Sequence, residues 1–280
     1  MKLATDNAAD TSWQDKVWQT IRQETECHAK REPILASFLH ATILNHNSLE
    51  TALSFHLANK LDSTTVSAML IREVIQEALQ KSPKISRAIR ADLLAIQDRD
   101  PAFRALSAPF LYYKGYHALQ AYRVAHWLWK EKRTSLALFL QNQSSVVFGV
   151  DIHPGAKIGQ GVLLDHGTGI VVGETAVVED NVSLLQSVTL GGTGKEGGDR
   201  HPKIRQGVLV GAGAIILGNI EVGECAKIAA GSVVLKPVAP HTTVAGVPAE
   251  VVGKTQSLNP ALDMNHQISC DTGCCDDEDG

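Results

Sequence analysis

The chain has 280 residues and a formal net charge of −4, with 44% hydrophobic and 20% charged residues. This length is enough for a sizeable core and favours two domains over one. The charge balance does not favour nucleic acid as a partner, and no apolar run approaches the ~20 residues that span a bilayer. Because no apolar segment follows the N-terminus and the five cysteines do not form a disulfide-like pattern, a cytoplasmic location is expected.

Up to about residue 144 the pattern is that of an all-α domain. Asp62, Ser63 or Thr64 can cap a helix that ends at the segment KSPK. Its residues recur at helical spacing, and they predict a single apolar face made of Val66, Met69, Leu70, Ile71, Val74, Ile75 and Leu79.

Two further features of this half predict a loop and a helix. Asp100–Pro101 is expected in a loop, because a residue before proline avoids the helical region. The segment 117–143 is rich in helix formers and contains neither Gly nor Pro. Its histidines, His117 and His126, are therefore expected to pack or cap rather than to react.

From about residue 145 an aliphatic residue recurs at every sixth position, over 152–193 and again over 204–239. Such a short fixed period predicts a parallel β-helix, in which three hexads close one triangular coil. Corner positions take small residues because coils stacked about 4.8 Å apart leave little room there. A Gly-rich antiparallel sandwich would instead show a period of two.

A loop interrupts the hexads. The two series start at 152 and 204, and this separation is not a multiple of six. The segment GKEGGDRHPK, 194–203, is therefore expected to leave the β-helix, and its charged residues Asp199, Arg200 and His201 make it a functional candidate.

Six stretches of the chain resemble one enzyme family. They are VDIHPGAKIGQGVLLDHGTGIVVGETAVV, QSVTLGGTGKEGGDRHPKI and AGVPAEVVGK in the second half, and EPILASFLHATILNH, RDPA and KGYHALQAYR in the first. Over about residues 15–254 the chain resembles the serine O-acetyltransferase family of bacterial and plant cysteine biosynthesis. The resemblance implies an α+β protein: an N-terminal helical domain (1–144), a left-handed parallel β-helix with a protruding loop (145–254) and a flexible tail (255–280).

The implied reaction transfers an acetyl group from acetyl-CoA to the hydroxyl of L-serine, without a permanently bound cofactor or a metal. A serine hydroxyl has a very high pKa and needs a general base, for which histidine is the usual choice at neutral pH. The resemblance assigns this role to His166, with Asp151 as the carboxylate that orients it. The two ends of a zwitterionic amino acid need opposite charges. Asp100 and Asp165 resemble the ammonium-binding residues, and Arg200 and His201 those that bind the carboxylate.

The resemblance implies roles for further residues. His201 is also expected to stabilise the tetrahedral intermediate, and Glu174 is a second-tier site residue. The pantetheine arm of CoA is expected to lie in a groove between neighbouring β-helices. Small residues that would allow this close approach to the backbone are Gly192, Thr193, Gly213 and Ala230.

The sequence leaves three alternative functions open. A related O-acetyltransferase could act on a sugar or another hydroxyl acceptor, although the helical half argues against it. A zinc-dependent hydratase of the same fold would need three histidines, and position 206 is Gln. A scaffold without activity would leave the charged residues around the repeat unexplained.

The resemblance also implies partners. A homotrimer or a dimer of trimers is expected, with L-cysteine as an inhibitor that occupies the serine site. Family members often end in an isoleucine that docks into O-acetylserine sulfhydrylase, whereas this chain ends in Gly280, which speaks against that partner. The acidic tail with Cys270, Cys274 and Cys275 is expected to be disordered.

Overall fold

The computed structural model describes residues 7–194, 197–255 and 257–268. Its first part is helical, and no helix among the described residues is long and apolar enough to cross a membrane. A 3₁₀ turn (Pro33–Leu35) and a π turn (His40–Leu44) flank the second helix. The eight helices of this part are α1 (Asn7–Arg31), α2 (Ala36–Leu39), α3 (Leu49–Lys60), α4 (Ala68–Lys81), α5 (Pro83–Arg99), α6 (Ser107–Tyr112), α7 (Lys114–Lys130) and α8 (Thr134–Phe148).

Helix α4 shows where periodicity alone is insufficient. Helix α4 begins at Ala68 with Ser67 at its N-cap, three residues beyond the last predicted cap, Thr64. Asp62 still satisfies one N–H of the first turn, because its Oδ1 accepts a 2.7 Å hydrogen bond from the Ala68 N–H. The predicted apolar face is wrong at two positions, because Met69 is 67% and Leu70 48% exposed. Ile71, Ile75 and Leu79 form the narrower buried stripe.

The end of the helical part also differs from expectation. The predicted single segment 117–143 is divided between α7 and α8 by a turn in which Lys132 takes a left-handed φ of 62°. Helix α8 continues to Phe148, four residues beyond the expected boundary at 144. The β-branched Val146 and Val147 suggest a strand, but they lie exposed on this helix.

The second part is the predicted parallel β-helix. Three sheets form the faces of a triangular prism: sheet A (β1-β4-β7-β10-β13), sheet B (β2-β5-β8-β11) and sheet C (β3-β6-β9-β12-β14-β15), with only β15 antiparallel. The strands are β1 (Asp151–Ile152), β2 (Lys157–Ile158), β3 (Leu163–Leu164), β4 (Val171–Val172), β5 (Val177–Val178), β6 (Ser183–Leu184), β7 (Thr189–Gly191), β8 (Lys203–Ile204), β9 (Leu209–Val210), β10 (Ile215–Leu217), β11 (Glu221–Val222), β12 (Lys227–Ile228), β13 (Val233–Val234), β14 (Thr242–Gly246) and β15 (Ala249–Lys254).

The hexad register shifts within the first series, at one corner of the prism. The first residues of β6 and β7, Ser183 and Thr189, lie six residues apart, and so do those of β9 and β10, Leu209 and Ile215. The first residues of β3 and β4, Leu163 and Val171, lie eight residues apart. The corner after β3 therefore holds two extra residues. The expectation that the loop alone breaks the period is wrong, and the loop itself ends before Lys203, which belongs to β8.

Helices α5 and α7 cover the first coil of the prism (β1, β2 and β3) through buried polar contacts. Asp92 is fully buried and accepts bonds of 2.9 and 2.7 Å from the Arg123 guanidinium. The same carboxylate accepts a 3.1 Å bond from the Val162 N–H, and Arg123 donates to the Gly159 carbonyl at 2.7 Å. This ion pair fixes the turn that leads into β3.

Two buried histidines lie where α6 meets α3 and α7. The Nε2 atoms of His56 and His117 lie 2.9 and 2.8 Å from the carbonyls of Leu111 and Phe110, and their rings are 5.1 Å apart. Burial lowers the pKa of His56 to about 4 and that of His117 to about 3. The prediction that His117 packs is confirmed; His126, whose Nδ1 lies 2.8 Å from the Pro154 carbonyl, holds α7 to the prism.

The two neutral imidazoles predict a loss of stability in acid. The unfolded histidines bind protons near pH 6.5 and the folded ones only near pH 4 and 3, so the free energy of unfolding falls as pH decreases below about 6.5. Each should contribute about 1.4 kcal/mol per pH unit in this range. Urea unfolding at pH 7.5 and 5.5 should show a drop about 2–3 kcal/mol larger in the parent than in the His56→Gln/His117→Gln variant, whose amides retain a donor. Equal drops would contradict the assignment.

The chain remains packed beyond the predicted boundary at 254. A short helix, α9 (Pro260–Asp263), follows β15, and the carbonyl of Ala261 accepts a 2.9 Å hydrogen bond from Ser183 Oγ. Residues 257–268 thus lie on sheet C. The remainder of the predicted flexible tail, with its three cysteines, falls on 269–280, outside the described residues.

Candidate functional site

A pocket of about 580 Å³ lies between the helical part and the β-helix. The end of α5, the start of α7 and the end of β3 converge on it. Its lining consists of Asp100, Pro101, Ala102, Tyr112, Tyr113, Lys114, Gly115, Leu163, Leu164, Asp165 and His166. Three of the predicted site residues, Asp100, Asp165 and His166, are therefore brought together here.

His166 stands on the expanded corner after β3. Its φ is +55°, in the left-handed region that a non-glycine residue enters only at such turns, and Gly167 and Gly169 follow with φ of +74° and +75°. The imidazole is exposed, and among the described residues it has no hydrogen-bond partner. It is thus free to bond a substrate in the pocket.

The two carboxylates of the pocket come from different parts of the chain. Asp100 caps α5, and its Oδ1 accepts a 2.7 Å hydrogen bond from the Ala102 N–H. Burial raises the pKa of the Tyr113 hydroxyl, and the charges of Asp100 and Asp165 raise it further, so the tyrosine lies beside both. Two carboxylates at one pocket favour a bound ammonium group.

Asp151 lies in β1 and does not belong to the residues that line the pocket. Its carboxylate accepts a 2.7 Å hydrogen bond from the Gln141 amide of α8. Among the described residues no hydrogen bond joins it to His166, and its strand partner is Val171, five residues after His166. Its role as the orienting carboxylate stays a prediction.

A second cluster surrounds His201. Arg200 Nη2 pairs with Glu174 Oε2 at 2.8 Å, and His201 Nδ1 lies 2.8 Å from Thr175 Oγ1. A Cβ atom on Gly173 would lie 2.0 Å from the His201 ring, so this glycine leaves the space that the ring occupies. Burial lowers the pKa of His201, and the neighbouring cations Arg200 and Lys203 lower it further. The imidazole is therefore held neutral beside a guanidinium.

The two clusters lie on different edges of the prism. The His166 edge comprises the corners between sheets C and A (165–170, 185–188, 211–214 and 229–232), tied by the bond from the Gly213 N–H to the Gln186 carbonyl at 2.9 Å. The His201 edge comprises the corners between sheets A and B (153–156, 173–176, 192–194 with 197–202, and 218–220). Asp165, His166, Gly213 and Ala230 belong to the first edge, and Glu174, Gly192, Thr193, Arg200 and His201 to the second. One chain thus does not bring the predicted ammonium-binding and carboxylate-binding residues together.

Sequence reasoning missed the start of α7 as part of the site. Tyr113, Lys114 and Gly115 line the pocket, and a Cβ on Gly115 would lie 2.1 Å from the Leu164 carbonyl oxygen. The available signal was Gly115 itself, which stands next to a strong helical pattern. A glycine there lowers the stability of the helix, so its presence indicates that another chain segment approaches closely. Among the described residues no group of three or more His, Cys, Asp or Glu side chains could hold a metal ion.

Comparison with known proteins links both parts of the chain to one family. The family model "Serine acetyltransferase, N-terminal" matches residues 17–121, and "Bacterial transferase hexapeptide (six repeats)" matches 201–236. Serine acetyltransferase of Escherichia coli (strain K12) is 61% identical over 253 residues, which cover 90% of this chain and 93% of that protein.

Solved structures agree with this likeness. Serine acetyltransferase from Vibrio cholerae has a TM-score of 0.90 and 63% identity, with 91% of this chain and 99% of that chain covered. A serine acetyltransferase in complex with cysteine has a TM-score of 0.89 and 58% identity, covering 91% and 99%. Serine acetyltransferase from Brucella abortus in complex with coenzyme A has a TM-score of 0.86 and 55% identity, covering 89% and 98%.

Proposed function

Because the chain belongs to the serine acetyltransferase family, we propose that His166 is the general base with which it transfers an acetyl group from acetyl-CoA to L-serine. The observation that carries this proposal is the pocket that the exposed His166 lines together with Asp100 and Asp165. Identities of 55% and more to serine acetyltransferases along most of the chain favour serine over a sugar acceptor.

The reaction needs one proton to move twice. His166 takes the proton from the serine hydroxyl as its oxygen attacks the thioester carbonyl of acetyl-CoA. The tetrahedral intermediate collapses, the carbon–sulfur bond breaks, and the imidazolium returns the proton to the departing CoA thiolate. The products are O-acetylserine and CoA, and no cofactor is consumed. Asp151, the predicted orienting carboxylate, would steady the imidazolium.

The serine ends are assigned by charge. The Asp100 and Asp165 carboxylates would hold the ammonium group, while Arg200 and His201 would bind the carboxylate, with His201 also donating toward the tetrahedral oxyanion. The last two lie on the other edge of the prism. We therefore propose that a neighbouring copy brings its His201 edge to the His166 edge, as in a homotrimer, with Glu174 holding Arg200 in place.

The same arrangement would form the CoA groove. Gly213 and Ala230 lie on the His166 edge below the pocket. No atom of the described residues lies within 4 Å of a Cβ built on Gly213, so the described part of the chain leaves the edge open there. Gly192 and Thr193 lie on the edge that the neighbour would contribute. The groove would thus run along stacked corners, and its small residues would let the pantetheine arm contact the backbone. The coenzyme A complex of the Brucella abortus relative supports acetyl-CoA as the acetyl donor.

L-cysteine is proposed as a competitor of L-serine. The two amino acids differ only in sulfur for oxygen, and a relative has been solved in complex with cysteine. The carboxylates of the pocket would bind the ammonium group of either one.

The acceptor site is tested by exchanging one carboxylate. Asp165→Asn removes a charge near the ammonium group, so the KM for L-serine should rise at least about tenfold while the KM for acetyl-CoA stays within about twofold. Thiol release measured with L-serine and a panel of other hydroxyl compounds gives both values. The exposed Asp263, on α9, supplies a matched control in Asp263→Asn. An unchanged KM for serine in Asp165→Asn, or a faster rate with a sugar acceptor, would contradict the proposed site.

A further inference from the structure

Arg99, the last residue of α5, is a buried cation outside the pocket. It is 5% exposed, and among the described residues no carboxylate lies within 4.0 Å of its guanidinium. Its partners are all on one turn of the second coil (β4, β5 and β6): the Asn181 side chain at 3.3 Å, the Ser183 hydroxyl at 3.2 Å and the Val182 carbonyl at 3.4 Å. The guanidinium thus links the end of a helix to the β-helix.

Burying the charge of Arg99 in this link costs free energy. Burial lowers the pKa of Arg99 to about 10, so the side chain stays charged at neutral pH although only neutral oxygens receive its bonds. The C-terminal end of α5 favours a cation through the helix dipole, which offsets part of the cost. The remaining benefit is geometric. The planar guanidinium donates to several acceptors at once, and this fixes the direction in which α5 ends.

That direction determines where Asp100 points. The Asp100 N–H donates to the Ile96 carbonyl at 2.9 Å, and its Oδ1 accepts from the Ala102 N–H at 2.7 Å. The ring of Pro101 restricts the backbone of Asp100, the residue before it. Since neither the backbone nor the side chain of Asp100 can turn independently, its carboxylate moves only with the end of α5.

We propose that Arg99 is a positioning residue that holds the Asp100 carboxylate in the His166 pocket by fixing the end of α5 to the second coil. The inference rests on the proposed function, in which Asp100 binds the ammonium group of serine. The expected signature of its loss is weaker serine binding with little effect on acetyl-CoA.

The experiment uses the full chain and compares two arginines of one helix. Arg99→Gln should raise the KM for L-serine about tenfold or more, with kcat and the KM for acetyl-CoA within about threefold, and Arg99→Lys should lie between this variant and the parent. Arg90→Gln is the matched control, because Arg90 is equally buried on α5 but donates to Glu50 at 2.6 Å inside the helical part. It should lower the melting temperature and leave the KM for serine within about twofold.

Asp100→Asn separates the two proposals. If Asp100→Asn leaves the KM for serine unchanged, the proposed ammonium site is wrong; if it raises the KM but Arg99→Gln does not, only the role of Arg99 is wrong. An equal rise in Arg90→Gln would show general loosening of the helix and would also overturn the inference. Should Arg99→Gln fail to fold, Ser183→Ala removes one acceptor of the guanidinium and should raise the KM for serine by a smaller factor, whereas an unchanged KM would count against the link.

Discussion

His166→Ala is expected to lower kcat for serine acetylation by roughly 10²–10⁴-fold, which is the usual contribution of a general base. The exposed imidazole has no hydrogen-bond partner among the described residues, so its removal should not disturb the fold. The KM values for serine and acetyl-CoA should change far less than kcat, because the proposed ammonium and pantetheine sites remain. Thiol release at saturating concentrations of both substrates measures the effect.

The exposed His28 on α1 provides the control. His28→Ala should match the parent in kcat, and both variants should unfold at the parent's urea midpoint. If His166→Ala kept kcat within about tenfold of the parent, another group would have to accept the serine proton, and the proposed mechanism would be abandoned.

Gly115→Ala is expected to destabilise the protein by about 1–3 kcal/mol and to lower activity more than tenfold. An ordinary Gly→Ala change inside a helix stabilises by roughly 0.5–1 kcal/mol, so the expected sign is reversed. The reason is steric: the new Cβ would lie 2.1 Å from the Leu164 carbonyl oxygen and 3.1 Å from its carbonyl carbon. Since these are backbone atoms, α7 and the strand must separate, and Asp165 and His166 follow directly after that strand.

Urea midpoints and kcat of the Gly115→Ala variant test this contact. Gly197→Ala is a suitable control for the urea midpoint, because no atom of the described residues lies within 4 Å of a Cβ built there. An alanine at 115 that raised stability and kept activity would show that α7 does not press on β3.

The β-helix could be predicted from sequence, but its register could not. Each side of a coil buries two side chains that lie two residues apart in the sequence. Ile170 and Val172 are an example, and both are at most 1% exposed. A hexad count can follow either one with the same period of six. Counting in steps of six from Leu164 reaches Ile170 instead of Val172. The count therefore does not detect the two extra residues after Leu164 and attributes the whole irregularity to the loop.

The site shows a similar division. The Asp165–His166 pair stands out locally, as charge within an aliphatic repeat. Which edge carries Arg200 and His201 depends on the number of residues in every preceding coil, and this number is known only from the strand pairing. Buried charges such as Asp92 and Arg99 gave no signal, because their partners are backbone groups or side chains 28 to 84 residues away.

The two extra residues after Leu164 determine where His166 stands, whereas the number of coils determines the length of the β-helix. Without these two residues the corner after β3 would have the same length as the other corners between sheets C and A, and His166 would not stand on an expanded corner. A whole coil added after Val234 would instead lengthen the β-helix and leave the expanded corner after β3 unchanged. The length of the β-helix and the position of His166 are thus independent of each other.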